Sequence, residues 1–100
     1  MSWVRLDDHF FLNPKVIAAG RDACYLYIAG LTYAAGKQTN GFLPAASIPI
    51  IAAMAMIQIG YGPGRAQNRA KQLVDVGLWE KCAGGFMIRE YLDYNPSDDL

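Results

Sequence analysis

The chain has 100 residues, a length that suits one domain with a single hydrophobic core. Hydrophobic residues make up 53% of the sequence and charged residues 18%, which is typical of a folded protein and excludes a disordered tail. Nine basic and nine acidic residues give a formal net charge of zero, so the chain as a whole is not a polycation. Any nucleic-acid surface therefore depends on how these charges are distributed.

No segment of the sequence is typical of secretion or membrane insertion. The first eight residues lack the apolar core of a signal peptide. The longest apolar stretch, residues 48–59, is interrupted by Pro49 and Gln58. It is also shorter than the roughly 20 residues that span a bilayer. Cys24 and Cys82 have no metal-ligand spacing and are typical of reduced thiols. We therefore expect a soluble, cytoplasmic protein.

Two adjoining helices are predicted after an extended opening segment. Asn13 can cap the first helix, Pro14 suits its first position, and Gly20 can close it in the left-handed conformation. The second helix is expected to follow at once, with Asp22 as its N-cap and Gly36 at its end. Its apolar face has the i, i+3, i+4 spacing of a helix and consists of Ala23, Leu26, Tyr27, Gly30, Leu31 and Ala34.

A glycine inside a helix and short elements mark the centre of the chain. Gly30 weakens the middle of the second helix unless another backbone packs closely against it. Residues 39–41 (Thr-Asn-Gly) signal a turn, and residues 42–44 offer only a very short strand. A third helix is expected over about residues 47–57, with Pro49 tolerated in its first turn.

The second half of the chain changes from helical to β periodicity. Glycine-rich residues 60–64 break the chain, and a fourth helix is expected over residues 65–76, ended by Gly77. Two β-prone runs follow, at residues 78–82 and 86–91, separated by Ala-Gly-Gly. Glycines supply the positive φ angles of tight turns, so this pattern predicts a β-hairpin.

The order of these elements favours one fold class. We expect a mostly helical α+β domain over residues 1–94, with residues 95–100 beginning a linker or tail. Three core helices and a hairpin, preceded by a short extra helix, match a winged helix-turn-helix. In that fold the third core helix lies in the DNA major groove and the hairpin forms the wing. Other small α+β domains share the same order.

The fourth predicted helix carries the candidate DNA-binding residues. Ala66, Ala70, Leu73 and Val74 cluster on one face, while residues 65–72 contain three cations, three amides and no acid. Arginine pairs with guanine or phosphate, and Asn and Gln pair with adenine. The expected contacts come from Arg65, Asn68, Arg69, Lys71 and Gln72 in the major groove and from Lys81 and Arg89 of the wing. The alternative to a DNA-binding face is an ordinary solvated helix face. DNA binding also requires that the Asp75 carboxylate point away from the phosphates.

The third predicted helix is apolar on every side, and such helices are normally enclosed. Burial inside the monomer is one explanation. The other is a homodimer or partner face formed by Ile50, Ile51, Met54, Met56 and Ile57.

Chemical motifs are weak in this sequence. Gly60, Gly62 and Gly64 are not followed by the Gly-Lys-Ser/Thr of a phosphate loop, and His9 stands alone beside two aspartates. No nucleophile–base or paired-carboxylate arrangement is identifiable. We therefore expect no enzyme activity, cofactor, metal or small-molecule substrate.

Several stretches together form a pattern that covers nearly the whole chain: WVRLDD at 3–8, NPKV at 13–16, AG at 19–20, GL at 30–31, YA at 33–34, TNGFLP at 39–44, LVDVGLWE at 73–80 and YLDYNPS at 91–97. The pattern resembles the N-terminal winged-helix domain of phage and prophage replication-type proteins, such as replisome organisers. The resemblance implies origin or operator DNA binding in the bacterial host cytoplasm. It also implies a variable C-terminal region that recruits replication proteins or oligomerises.

The sequence is compatible with two functions. One is double-stranded DNA binding, in phage replication initiation or transcriptional regulation. The other is a protein-interaction or dimerisation module on the same scaffold with little DNA binding. The acid-free cationic helix favours the first, and the zero net charge favours the second.

Overall fold

Four α-helices and three β-strands make up most of the part that the computed structural model describes, namely residues 6, 9–54, 63–89 and 91. The elements are α1 (Pro14–Ala19), α2 (Arg21–Lys37), β1 (Phe42–Pro44), α3 (Ile48–Met54), α4 (Pro63–Asp75), β2 (Trp79–Cys82) and β3 (Gly85–Ile88). Short 3-10 turns precede α1 and α3, at Phe10–Leu12 and Ala45–Ser47. The predicted mostly helical α+β class is confirmed.

The predicted boundaries of α1 are confirmed. The Asn13 side chain accepts a hydrogen bond from the Lys15 backbone N–H at 2.8 Å, and Pro14 occupies the first helical position. This is the cap geometry that satisfies one of the free N–H groups of a helix start. Gly20 ends α1 with φ 87° and ψ 171°, a positive-φ conformation that glycine adopts without strain and that differs from the predicted left-handed helical one.

Both predicted ends of α2 are wrong. The helix begins at Arg21, ahead of the predicted cap Asp22, because Gly20 turns the chain directly from α1 into α2. At the other end, α2 continues past Gly36 to Lys37. Gln38 then takes the left-handed conformation at φ 56°, and its N–H bonds to carbonyls of the last turn.

The three strands form an antiparallel sheet in the order β1-β3-β2. The predicted hairpin is confirmed with shorter strands, and only two residues, Ala83 and Gly84, connect Cys82 to its partner Gly85. Gly85 belongs to β3 and not to the turn. A Cβ at Gly85 would collide with the carbonyl oxygen of Leu43, so glycine allows β1 to approach β3.

The core lies where α2, α3 and α4 meet one face of the sheet. Gly30 is buried in the middle of α2, and a Cβ there would stand 2.9 Å from a ring carbon of Trp79 and 3.2 Å from Leu43. The close contact that glycine permits at this position is made by an indole ring and not by another backbone. The largest fully buried side chains are Trp79, Leu26, Leu43, Ile48, Ile51, Leu73 and Ile88.

The helices on either side of the glycine-rich stretch differ slightly from their predicted bounds. The 3-10 turn at Ala45–Ser47 replaces the predicted first residue of α3, and residues 55–57 of the predicted helix lie outside the described residues. The start of α4 is Pro63, two residues earlier than predicted, because proline is favoured at a helix start. The predicted tail, residues 95–100, also lies outside the described residues.

Within the described ranges, no helix combines the length and the apolar character that crossing a membrane requires.

Candidate nucleic-acid interface

The amphipathic pattern of α4 separates a core face from an exposed face. Ala66, Ala70 and Leu73 are buried against the rest of the core, which confirms the predicted inner face. Gln67, Asn68 and Lys71 lie on the exposed side. No acidic residue occurs in α4 before Asp75, its last residue. The helix therefore presents amides and a cation to solvent, side chains that can contact base edges and phosphates.

The predicted DNA-binding residues of α4 do not share one face. Asn68 and Lys71 are exposed, as expected for groove contacts. Arg69 and Gln72 are half-buried, and the Arg69 Nη1 donates a hydrogen bond to the Gln72 Oε1 at 3.1 Å. Both line a depression of about 450 Å³ beside the start of α2. The side chain of Arg65 lies outside the described part of the structure.

Helix geometry explains why Arg69 leaves the predicted face. Arg69 directly precedes the buried Ala70 and follows the buried Ala66 by three residues. At about 100° per residue it sits at the border of the core face, where its long apolar stem packs and its guanidinium reaches the edge. Gln67 sits on the opposite flank and is exposed. Gln67 was not among the predicted contacts, although the same helical wheel places it on this flank.

Asp75 does not point away from the cationic side of α4. Its carboxylate lies 3.0 Å from the Lys71 ammonium, in an i, i+4 ion pair between two well-exposed side chains. Such surface pairs contribute only about 0.3–0.5 kcal/mol, so Lys71 can exchange this partner for a phosphate at little cost.

The hairpin presents two further cations. Lys81 is exposed on β2, next to the turn. Arg89 follows β3, and its Nη1 lies 3.5 Å from the Glu80 Oε2 in a second exposed ion pair. Both predicted wing residues are therefore at the surface, with Arg89 partly neutralised by Glu80.

Two cations outside the predicted set lie near α4. The Lys15 Nζ is 3.8 Å from the position that a Cβ of Gly77 would occupy, so this ammonium covers the turn after α4. Arg21 lines the same depression as Arg69 and Gln72, and its Nε lies 3.3 Å from the Asp22 carboxylate. Neither residue could be predicted from the sequence, because both are distant from α4 along the chain. The fold brings α1 and the start of α2 next to α4.

The acidic and basic residues are segregated along the chain. Residues 9–89 contain eight Lys and Arg against three Asp and Glu, a net charge of +5. The other six acidic residues fall within residues 1–8 and 90–100. All three acids of residues 9–89 form ion pairs with a neighbouring cation. The positions of the charged residues in the sequence reveal this segregation, whereas the total net charge of zero does not.

The proposed apolar partner face of α3 requires a correction. Ile51 is fully buried, because it belongs to the core that α3 forms with α2 and α4 in this same chain. Ile50 and Met54 are 60% and 57% exposed, as a partner face requires. Met56 and Ile57 lie outside the described residues.

No family model, curated protein or solved structure matches this chain in comparisons with known proteins.

Proposed function

We propose that the domain is a winged helix-turn-helix that binds double-stranded DNA. The element order α2-β1-α3-α4-β2-β3 and the addition of β1 to the edge of the hairpin support this assignment. In this arrangement α4 is the recognition helix and the β2–β3 hairpin is the wing.

The observation that carries the proposal is the exposed side of α4 at Gln67, Asn68 and Lys71, which no acid precedes in this helix, within residues 9–89 of net charge +5. Phosphate neutralisation supplies most of the affinity of non-specific DNA binding, and it requires local positive charge, not a positive total charge. Amides beside those cations supply hydrogen bonds to base edges. We place three residues in the major groove, Gln67, Asn68 and Lys71. Lys81 then contacts the DNA phosphate backbone beside that groove.

Arg69 and Gln72 take a different role from direct base contact. They lie with Arg21 and Asp22 beside the start of α2, so a phosphate flanking the groove would compete with the Asp22 carboxylate for Arg21. The resemblance of the sequence to phage replication-type proteins supports a role in replication initiation or transcriptional regulation. Origin or operator DNA is the corresponding target.

The test is fluorescence anisotropy on a random-sequence duplex with the full chain and two charge-matched variants. Lys71→Ala removes a cation from the exposed face of α4, and Lys37→Ala removes one from the last turn of α2. We expect Lys71→Ala to reduce the slope of log K against log salt by about one, while Lys37→Ala leaves the slope unchanged. Equal effects of the two variants would refute α4 as the contact surface.

The second candidate function is a protein-interaction module with little DNA binding. The exposure of Ile50 and Met54 on α3 favours it, since large hydrophobic side chains at a surface mark interaction sites when they are grouped. Absence of duplex binding at low salt, together with wild-type folding, is the result expected for this alternative.

A further inference from the structure

A shallow apolar groove of about 360 Å³ lies between α2 and the segment that contains the first 3-10 turn and α1. We call it the α1–α2 groove. Gly20 and Arg21 complete its lining, and its hydrophobic residues are Phe11, Val16, Ile17, Cys24, Tyr25 and Ile28. The groove lies on the side of α2 away from Leu26 and Gly30, which face the core.

Large side chains protrude along this groove. Phe11 is 70% exposed, Ile17 66% and Tyr25 53%. At about 200 Å² for a full side chain of this size, the three together expose roughly 400 Å² of mostly apolar surface. Patches of this size on a monomer are often functional.

The groove carries little uncompensated charge. Among the described residues that line it, Arg21 is the one cation, and the carboxylate of Asp22 lies 3.3 Å away. Burial raises the pKa of the Cys24 thiol, so the thiol stays protonated at neutral pH. Cys24 therefore lines the groove as a small uncharged side chain. A surface of this kind can face an identical surface without like-charge repulsion.

We propose that the α1–α2 groove is the contact face of a symmetric homodimer. A two-fold interface brings the same patch of both subunits together, so each copy supplies a groove and the side chains that protrude beside it. A standard interface buries about 800 Å² per partner, of which somewhat more than half is apolar. The roughly 400 Å² exposed by Phe11, Ile17 and Tyr25 is about the apolar centre that such a dimer needs.

A second copy fits the groove better than a small molecule does. Small-molecule sites enclose about 70–90% of their ligand. Three of the side chains lining this groove expose more than half of their own surface, so it is too open for such enclosure. The dimer does not rest on the proposed DNA binding, because Phe11, Ile17 and Tyr25 are not among the residues proposed to contact DNA. Gly20 and Arg21 line both the groove and the depression beside α4.

Sedimentation velocity of the full chain from about 1 µM to about 1 mM tests the dimer, since this range brackets a moderate Kd. We expect the wild type to associate reversibly. The double variant Ile17→Glu/Tyr25→Glu should weaken association at least about 100-fold, because each charge enters the interface twice. Both positions are exposed in the monomer, so circular dichroism and thermal unfolding should stay as in the wild type.

Ile50→Glu is the matched control, because Ile50 is similarly exposed but lies on α3. It should dimerise like the wild type. A wild type that stays monomeric at about 1 mM overturns the proposal, as does dissociation by Ile50→Glu with dimerisation retained in the double variant. If the double variant loses its wild-type circular dichroism, Ile17→Glu alone carries the same comparison.

Discussion

Single glycines decide how closely the elements of this domain approach one another. Gly30 gives α2 a smooth surface on which the Trp79 ring lies, and Gly85 lets β1 pair with β3. Glycine inside a helix or strand normally lowers stability by roughly 0.5–1 kcal/mol relative to alanine. At these two positions that loss is outweighed, because a larger residue would push apart parts of the core.

A pair of glycine substitutions in α2 should have opposite effects on stability. Gly30→Ala places a methyl group 2.9 Å from a Trp79 ring carbon and should lower the free energy of unfolding by about 1–3 kcal/mol. Gly36→Ala meets no atom within 4 Å and should raise it by up to about 1 kcal/mol. Urea unfolding of both variants measures these changes, and a Gly30→Ala protein as stable as the wild type would contradict the packing described here.

At the scale of elements, α4 combines a face packed in the core and an exposed face that we propose to bind DNA. Its alanines let α2 and α3 pack closely, and this close packing leaves the opposite side of α4 in solvent. Asn68 lies in the middle of that exposed side. Under the proposed function, it is the amide best placed to distinguish one base pair from another.

Replacement of Asn68 should change sequence preference and not general affinity. On a preferred site selected from a random duplex library, Asn68→Ala should lower affinity by about 10- to 100-fold, the effect of losing one bidentate base contact. On random duplex the same variant should bind like the wild type, because Asn68 carries no charge. An equal loss on both duplexes would place Asn68 outside the base-reading face.

Local sequence signals predicted the helices and strands well, but they predicted poorly which residues of distant segments contact one another. Asn13-Pro14 and the glycines of the hairpin act through the backbone next to them, so their effects are readable in the sequence. The burial of Ile51 and the approach of Lys15 to the turn after α4 depend on contacts between distant segments. Helical periodicity alone could not separate Ile51 from Ile50, because α3 is apolar all round.

At the scale of the whole molecule, charge is divided between a basic body and acidic ends. Residues 90–100 carry four of the nine acidic residues, and residues 9–89 carry eight of the nine basic ones. At low ionic strength the acidic residues repel DNA over distances comparable with the size of the domain. Under the proposed function, residues 9–89 alone should therefore bind DNA more tightly than the total charge of zero suggests.

Neutralising acidic residues near the end of the chain should strengthen DNA binding. Asp98→Asn/Asp99→Asn removes two negative charges and should raise the affinity for random duplex by roughly two- to fivefold at 50 mM salt. The gain should shrink at 200 mM salt, because the Debye length falls. Anisotropy titrations measure both values, and an unchanged affinity at low salt would show that these charges act too far from the DNA surface.

The most direct test of the central claim is the affinity of the full wild-type chain for a random-sequence duplex at 50 and 200 mM salt. With three to five phosphates neutralised, affinity should fall roughly 50- to 500-fold between the two conditions. This result would establish a polycationic contact surface on a protein of zero net charge. No binding at 50 mM salt, with the chain folded, would contradict the proposal that this domain binds DNA.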